Sequence, residues 1–231
     1  MKQLPIIVVF IFIFTTKIFA LSVDVDFPDS VPIKLKFIED KQNTMSFDDV
    51  VNSDKWDDAV TETINFGFTD SAYWFTFTVN NTSKIKKTTL LRISYPMLDY
   101  IELYRPTENG GYNKTIEGDS LPFHQRELTD VAFLYLLEIY PGTNTFYFKI
   151  KTTSSFNFTA TLFTVKGFLH HLNVEEPLVW VYYGLMIIMV VFNFFVFLSI
   201  KDISYLLYVV FISSWILLQM CLNGYSFQYF W

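Results

Sequence analysis

The dominant pattern in this chain is a pair of uncharged apolar runs set end to end. Residues 178–200 and 203–222 carry no charge, and spans of about 23 and about 20 residues each suffice to cross a bilayer as a helix. Only Lys201 and Asp202 separate them. Two charges leave room for nothing but a tight turn, so the pattern predicts a transmembrane helical hairpin. Lys201 weakly favours the cytoplasmic side for that turn. Residues 223–231 then fall at the outer interface, where Tyr225, Tyr229 and Trp231 suit an aromatic belt.

Upstream the period changes to two. In 73–80, Phe75, Phe77 and Val79 alternate with Trp74, Thr76 and Thr78. In 146–151, Phe146, Phe148 and Ile150 alternate with Tyr147, Lys149 and Lys151. Residues 35–40, 90–94, 100–104, 131–139 and 159–165 are further strand-length segments. Turn signals fall at 80–83, 106–111 and 141–144. Residues 47–56 are acidic and resemble a loop with one helical turn. Many short strands and no long helix predict an all-β antiparallel sandwich over residues 21–168, joined by a linker, 169–177, to the first span.

The first residues combine Lys2, an apolar run over 4–14 and the small Ala20, which together predict a signal peptide over residues 1–20. Cleavage after Ala20 and retention as an anchor helix both export the domain that follows.

Composition narrows the chemistry. The chain is 52% hydrophobic and 19% aromatic, with net charge −6 and no basic patch, which argues against a nucleic-acid partner. The single cysteine, Cys221, lies in the second apolar run, so the soluble part must hold together by its core alone. His124, His170 and His171 lack zinc-ligand spacing, and no cofactor motif, phosphate loop or nucleophile motif occurs. Glu39, Asp40, Asp48 and Asp49 fit no calcium loop and read as a solvated acidic face. The remaining candidates are for binding. Tyr73, Trp74, Tyr95, Tyr100 and Tyr104 are flat rings able to stack on a sugar, against the alternative of core packing for Trp74. Asp99, Asp119 and Arg126 are polar groups able to hold a ligand, or a salt-bridged set that orders loops.

Several motifs carry a family likeness. Leu35-Lys-Phe-Ile-Glu-Asp40, Asn65-Phe-Gly-Phe-Thr-Asp-Ser-Ala-Tyr-Trp74, Ser94-Tyr-Pro-Met-Leu-Asp99, Gly118-Asp-Ser-Leu-Pro-Phe123 with Arg126, and Tyr140-Pro-Gly142 resemble the type 2 periplasmic sensor domain of the bacterial seven-transmembrane receptors with diverse intracellular signalling modules. Tyr183-Gly184, Phe192-Asn193-Phe194, Lys201-Asp-Ile-Ser-Tyr205 and Gly224-Tyr-Ser-Phe-Gln-Tyr-Phe-Trp231 resemble its first two membrane helices. The resemblance implies a jelly-roll sandwich similar to carbohydrate-binding modules, in the periplasm and tethered to the inner membrane. It implies a non-enzymatic receptor that binds a small-molecule or carbohydrate ligand. Its helices contact membrane lipid and relay the signal to a cytoplasmic partner or to the remaining receptor helices. With two spans and no output domain, the chain is expected to be either a fragment of a longer receptor or a short paralogue acting through a partner. A tethered adhesion module without signalling and an envelope hydrolase are the alternatives from other classes.

Overall fold

The computed structural model describes residues 22–230; the signal peptide expected at 1–20 lies outside them. In chain order the elements are β1 (Ser22–Asp24), β2 (Ser30–Pro32), β3 (Lys36–Asp40), α1 (Phe47–Val51), β4 (Asp57–Asp58), β5 (Thr63–Gly67), β6 (Ala72–Asn81), β7 (Lys87–Ile93) and β8 (Tyr100–Pro106). There follow β9 (Tyr112–Glu117), β10 (Phe133–Ile139), β11 (Gly142–Lys151), β12 (Phe156–Phe163), α2 (Val165–Ile200), α3 (Ile203–Leu222) and α4 (Tyr225–Phe230).

The strands form a mostly antiparallel sandwich. A seven-stranded sheet has the order β4-β3-β6-β11-β8-β9, with β1 added in parallel to β6. A five-stranded sheet has the order β10-β7-β12-β2, with β5 pairing β12. The period-two pattern dictates what lies between them. Phe75, Phe77, Phe146, Phe148, Phe156 and Phe158 all face inward and are fully or almost fully buried. Pairing in register sets Phe75 against Phe148 and Phe77 against Phe146, each stacked with centroids 5.0 Å apart. Aromatic pairs of this kind add about 0.5–1.5 kcal/mol each beyond the area they bury. A dense phenylalanine core thus replaces the disulfides the domain lacks.

The helices differ from expectation in one respect. Residues 169–177 are not a linker, because α2 starts at Val165 and runs unbroken through Pro177 to Ile200. The Thr164 side chain caps it by accepting from the Gly167 N–H at 2.9 Å. Its first turns are held by packing: Phe168 and Leu172 lie against Leu90, Leu134 and Phe163 on the outer face of the five-stranded sheet. Tertiary contact therefore offsets the interior proline, which costs a helix about 3 kcal/mol. Likewise the sandwich proper ends at Phe163, and Val165, expected in the last strand, is helical.

Lys201 takes a left-handed conformation (φ 61°) and Asp202 caps α3, so the chain reverses in two residues. Both α2 and α3 are long and apolar enough to cross a membrane. They lie side by side, with Asn223 Nδ2 donating to the Tyr183 hydroxyl at 2.9 Å. The end of α3 thereby returns to the sandwich. The segment after Leu222 is a short helix, α4, packed on that domain.

Candidate functional site

Six of the eight ligand-binding candidates fall in two places. Trp74 and Tyr104 belong to a cluster on the outer face of the seven-stranded sheet, with Ile38 and Val50. Ser46 caps α1 in a reciprocal box with Asp49, which lays Phe47 across the strands. Phe47 stacks on Tyr104 at 4.2 Å and 5°, and meets Tyr112 and Tyr147 edge-on at 5.0 and 5.6 Å. Lys149 lies 5.1 Å from the Trp74 ring centre and Lys114 5.5 Å from that of Tyr104. Trp74 is 1% exposed and Tyr104 9%. Neither ring offers a face to a sugar, so as a stacking platform both are corrected: the protein's own Phe47 occupies that surface. Tyr73 is also core, stacked on Phe66 at 4.3 Å, and Tyr100 stands exposed.

Asp99, Asp119, Tyr95 and Arg126 gather at the end of the sandwich that meets the helices. Asp99 accepts from the Thr153 N–H and hydroxyl at 2.8 and 2.7 Å. The Asp119 N–H donates to the Leu98 carbonyl at 2.9 Å, which draws the two aspartates' segments together. Gly118 is required there, because a Cβ would strike the Asp99 backbone. Burial, then the neighbouring Asp99 charge, pushes the Asp119 carboxyl up to about 6. Burial is also the first cause that raises the Tyr95 phenol, followed by Asp119.

Arg126 is the centre of this end. Its Nη1 donates to the carbonyls of Asp130, Val131 and Ala132 at 2.9, 3.1 and 3.1 Å. Its guanidinium lies over three rings: Phe133 at 4.3 Å, Phe123 at 4.7 Å and Phe227 at 5.3 Å. Phe133 belongs to β10, Phe123 to the short helical turn 123–125, and Phe227 to α4. One side chain thus clamps a strand, a loop and α4. Gly224, at φ +80°, fits where a Cβ would come within 2.7 Å of Pro96. Burial lowers the Arg126 pKa, and the charges of Glu117, Asp130 and Asp119 act against that.

Sequence reasoning missed Glu117 and Asp130, which are 2% and 5% exposed. Glu117 Oε1 accepts the Glu127 N–H at 2.6 Å, and Asp130 pairs with Arg92 at 3.5 Å. Burial raises the Glu117 carboxyl above its usual range, opposed by that N–H and by Arg126. Phe47, Tyr112 and Tyr147 were missed as well, although Tyr147 stood on the polar phase of an alternating strand. The acids 39–49 are not one solvated face: Asp40 is buried and accepts the Thr44 and Met45 N–H groups at 3.0 Å. Asp40 therefore shapes a loop rather than presenting a cation ligand.

A sandwich clamped to a helical hairpin defines a class: a membrane protein with an outward-facing sensor domain. The family models agree. The description "7TMR-DISM extracellular 2" matches residues 33–164, more than half of the 231-residue chain, and "7TM diverse intracellular signalling" matches 175–231. The chain belongs to the 7TMR-DISM family of membrane signalling receptors. No curated protein sequence matches it significantly. One similar solved structure is of carbohydrate-binding modules from the beta-sandwich super family, at 12% identity and TM-score 0.25 over 58% of this chain and 53% of that one. Another is a glycoside hydrolase family 43 arabinoxylan arabinofuranohydrolase from Bacillus subtilis in complex with cellotetraose, at 11% identity and TM-score 0.26 over 62% and 28%. The chain spans about half the length of the first and 28% of the second.

Proposed function

We propose that this receptor domain sits in the periplasm on a bacterial inner membrane, binds an envelope ligand of carbohydrate or other small-molecule type, and transmits occupancy through its helices without catalysing a reaction. In this reading the Lys201–Asp202 turn faces the cytoplasm and α4 the periplasm. Further receptor helices or a cytoplasmic partner take the signal onward. The observation that carries the reading is the Arg126 clamp, which ties a loop of the sandwich to α4 through Phe227. A passive tether needs no such buried cation at its junction. An adhesion module would tolerate a flexible linker, whereas residues 165–177 are a helix packed on the sheet.

The test is hydrogen exchange on the full chain in lipid nanodiscs, against a panel of saccharides, amino acids and divalent cations. A ligand should slow exchange in the sandwich and change it in α4. Binding that leaves α4 unchanged would favour a tether without signalling, and turnover of any saccharide would overturn the non-enzymatic reading.

A further inference from the structure

We infer that the ligand cleft lies on the open side of the sandwich, where β9 and β10 are the sheet edges among the described residues, and that it takes a neutral polyhydroxylated molecule such as a saccharide ring. This rests on the receptor reading above and gives it a site. The cleft holds about 250 Å³ and is lined by Arg105, Thr107, Asn113, Glu127, Glu138 and Tyr140 among others. Arg105 spans it. Its Nη1 donates to Glu127 Oε1 at 2.8 Å and to the Leu136 carbonyl of β10 at 2.9 Å, and its Nη2 donates to Thr115 Oγ1 of β9 at 2.5 Å. Lys86 donates to Glu138 Oε1 at 2.7 Å and the Tyr140 hydroxyl donates to Oε2 at 2.9 Å.

Charge selects the ligand class. Each carboxylate already has its cation, Glu127 with Arg105 and Glu138 with Lys86, so the cleft carries no excess charge to attract an ion. It does present fixed planar donors and acceptors, the free amide of Asn113 and the edge of a phenol. Such groups match vicinal hydroxyls, and paired charges hold them in place before the ligand arrives. The volume is just below the usual range of about 300–1,000 Å³ for ligand pockets, which suits one ring at an open mouth. The groove on the hairpin, bounded by Met186, Phe211 and Trp215, is apolar and lies on the span-length helices, so it is no rival for a soluble ligand.

The cleft is also wired to the membrane. Glu127 lines it, and the preceding residue is Arg126. The Glu127 N–H is held by buried Glu117, which fixes the backbone next to the residue that clamps Phe227. Binding and relay share one backbone segment.

Calorimetry on the full chain in nanodiscs tests this, with cellotetraose, maltotetraose and tetra-N-acetylchitotetraose as neutral probes, and tetragalacturonate and an amino-acid mixture as charged ones. A neutral probe should bind. Its affinity should fall tenfold or more in Asn113→Ala and in Glu138→Gln, and stay within twofold in Trp56→Ala, on the other face. Asn113 is exposed, so its variant decides should Glu138→Gln disturb folding. A neutral saccharide bound equally by both cleft variants, or binding by charged probes alone, overturns the cleft and its ligand class while leaving the receptor reading intact. No binding by any probe to the folded chain overturns the cleft and its ligand class, while the hydrogen-exchange panel above decides the receptor reading.

Discussion

The aromatic cluster under α1 and the Arg126 clamp are built from the same kinds of residue, rings and cations, yet they do opposite work. In the first, Lys149 and Lys114 cap rings already buried by strand pairing and by Phe47, and every partner lies in one sheet or its cover. In the second, one cation reaches three rings from three separate elements, one of them beyond the sandwich. Rings within one sheet stabilise it; rings from several elements around one charge make their relative placement depend on that charge. Ring content is a poor guide to function here, and the origin of the rings is a better one.

The largest effect should come from Trp74→Ala. Removing a buried tryptophan leaves a cavity, and the loss should be about 3–5 kcal/mol, read by denaturant unfolding. Ligand binding and α4 exchange should follow only the folded fraction. Trp74→Phe should cost far less, because the indole N–H makes no hydrogen bond whose loss would add to the volume change. A selective loss of ligand binding in stable Trp74→Phe would break the comparison.

Arg126→Ala comes next. It removes three hydrogen bonds from one charged group and leaves Glu117 without its nearest opposing charge, which together should cost about 2–3 kcal/mol. Unlike the Trp74 variant, it should speed amide exchange in α4 under conditions where the sandwich stays folded. Unchanged exchange in α4 would reduce Arg126 to an ordinary packing residue.

These two positions also show what the sequence reveals. Alternation in 73–80 and 146–151 announced the sheets, since a half-buried strand must repeat every two residues. The two span-length helices are legible because their apolar runs carry no charge. What alternation cannot show is what covers the outward phase. Trp74 stood on that phase and looked available, but a five-residue helix set by Ser46 closes over it. Residues 65–72 carry turn signals, yet 65–67 belong to β5, because β12 supplies the pairing. The segment 169–177 reads as a linker because it is short and ends at a proline, although the helix that contains it packs on the sheet through Phe168 and Leu172. Asp99, Asp119 and Arg126 read as one polar set, but the place of Arg126 at a junction depends on Phe227, about a hundred residues away in the chain.

Ser46→Ala should have a smaller effect. It deletes the cap that positions α1, at a cost of about 1 kcal/mol. If α1 is only a cover, Trp74 fluorescence should shift toward that of a wetter indole while the affinity of any ligand holds. A gain in saccharide binding would sharpen the comparison differently, by showing that the cover hides a second platform.

The smallest effect concerns pH. In the folded protein the Asp119 carboxyl is raised from 3.8 to about 6, by burial and then by Asp99. A carboxyl raised on folding binds its proton more tightly in the native state than in the unfolded chain, so stability falls as pH rises between those values. Below pH 3.8 both states are protonated and the group contributes nothing to the difference; above about 6 the full destabilisation is present. Asp119 is only half-buried, and water discounts the effect to about 1 kcal/mol or less at neutral pH. Asp119→Asn should therefore gain that much at pH 7.5 and almost nothing at pH 4. The aromatic cluster should respond in the opposite sense: the Ser46 side chain lowers the Asp49 carboxyl, so Ser46→Ala should cost slightly less at pH 4 than at pH 7.5. Unfolding curves of the two variants at the two pH values decide it: a pH-independent gain for Asp119→Asn would mean that shape, not charge repulsion beside Asp99, sets the strain at this end of the sandwich.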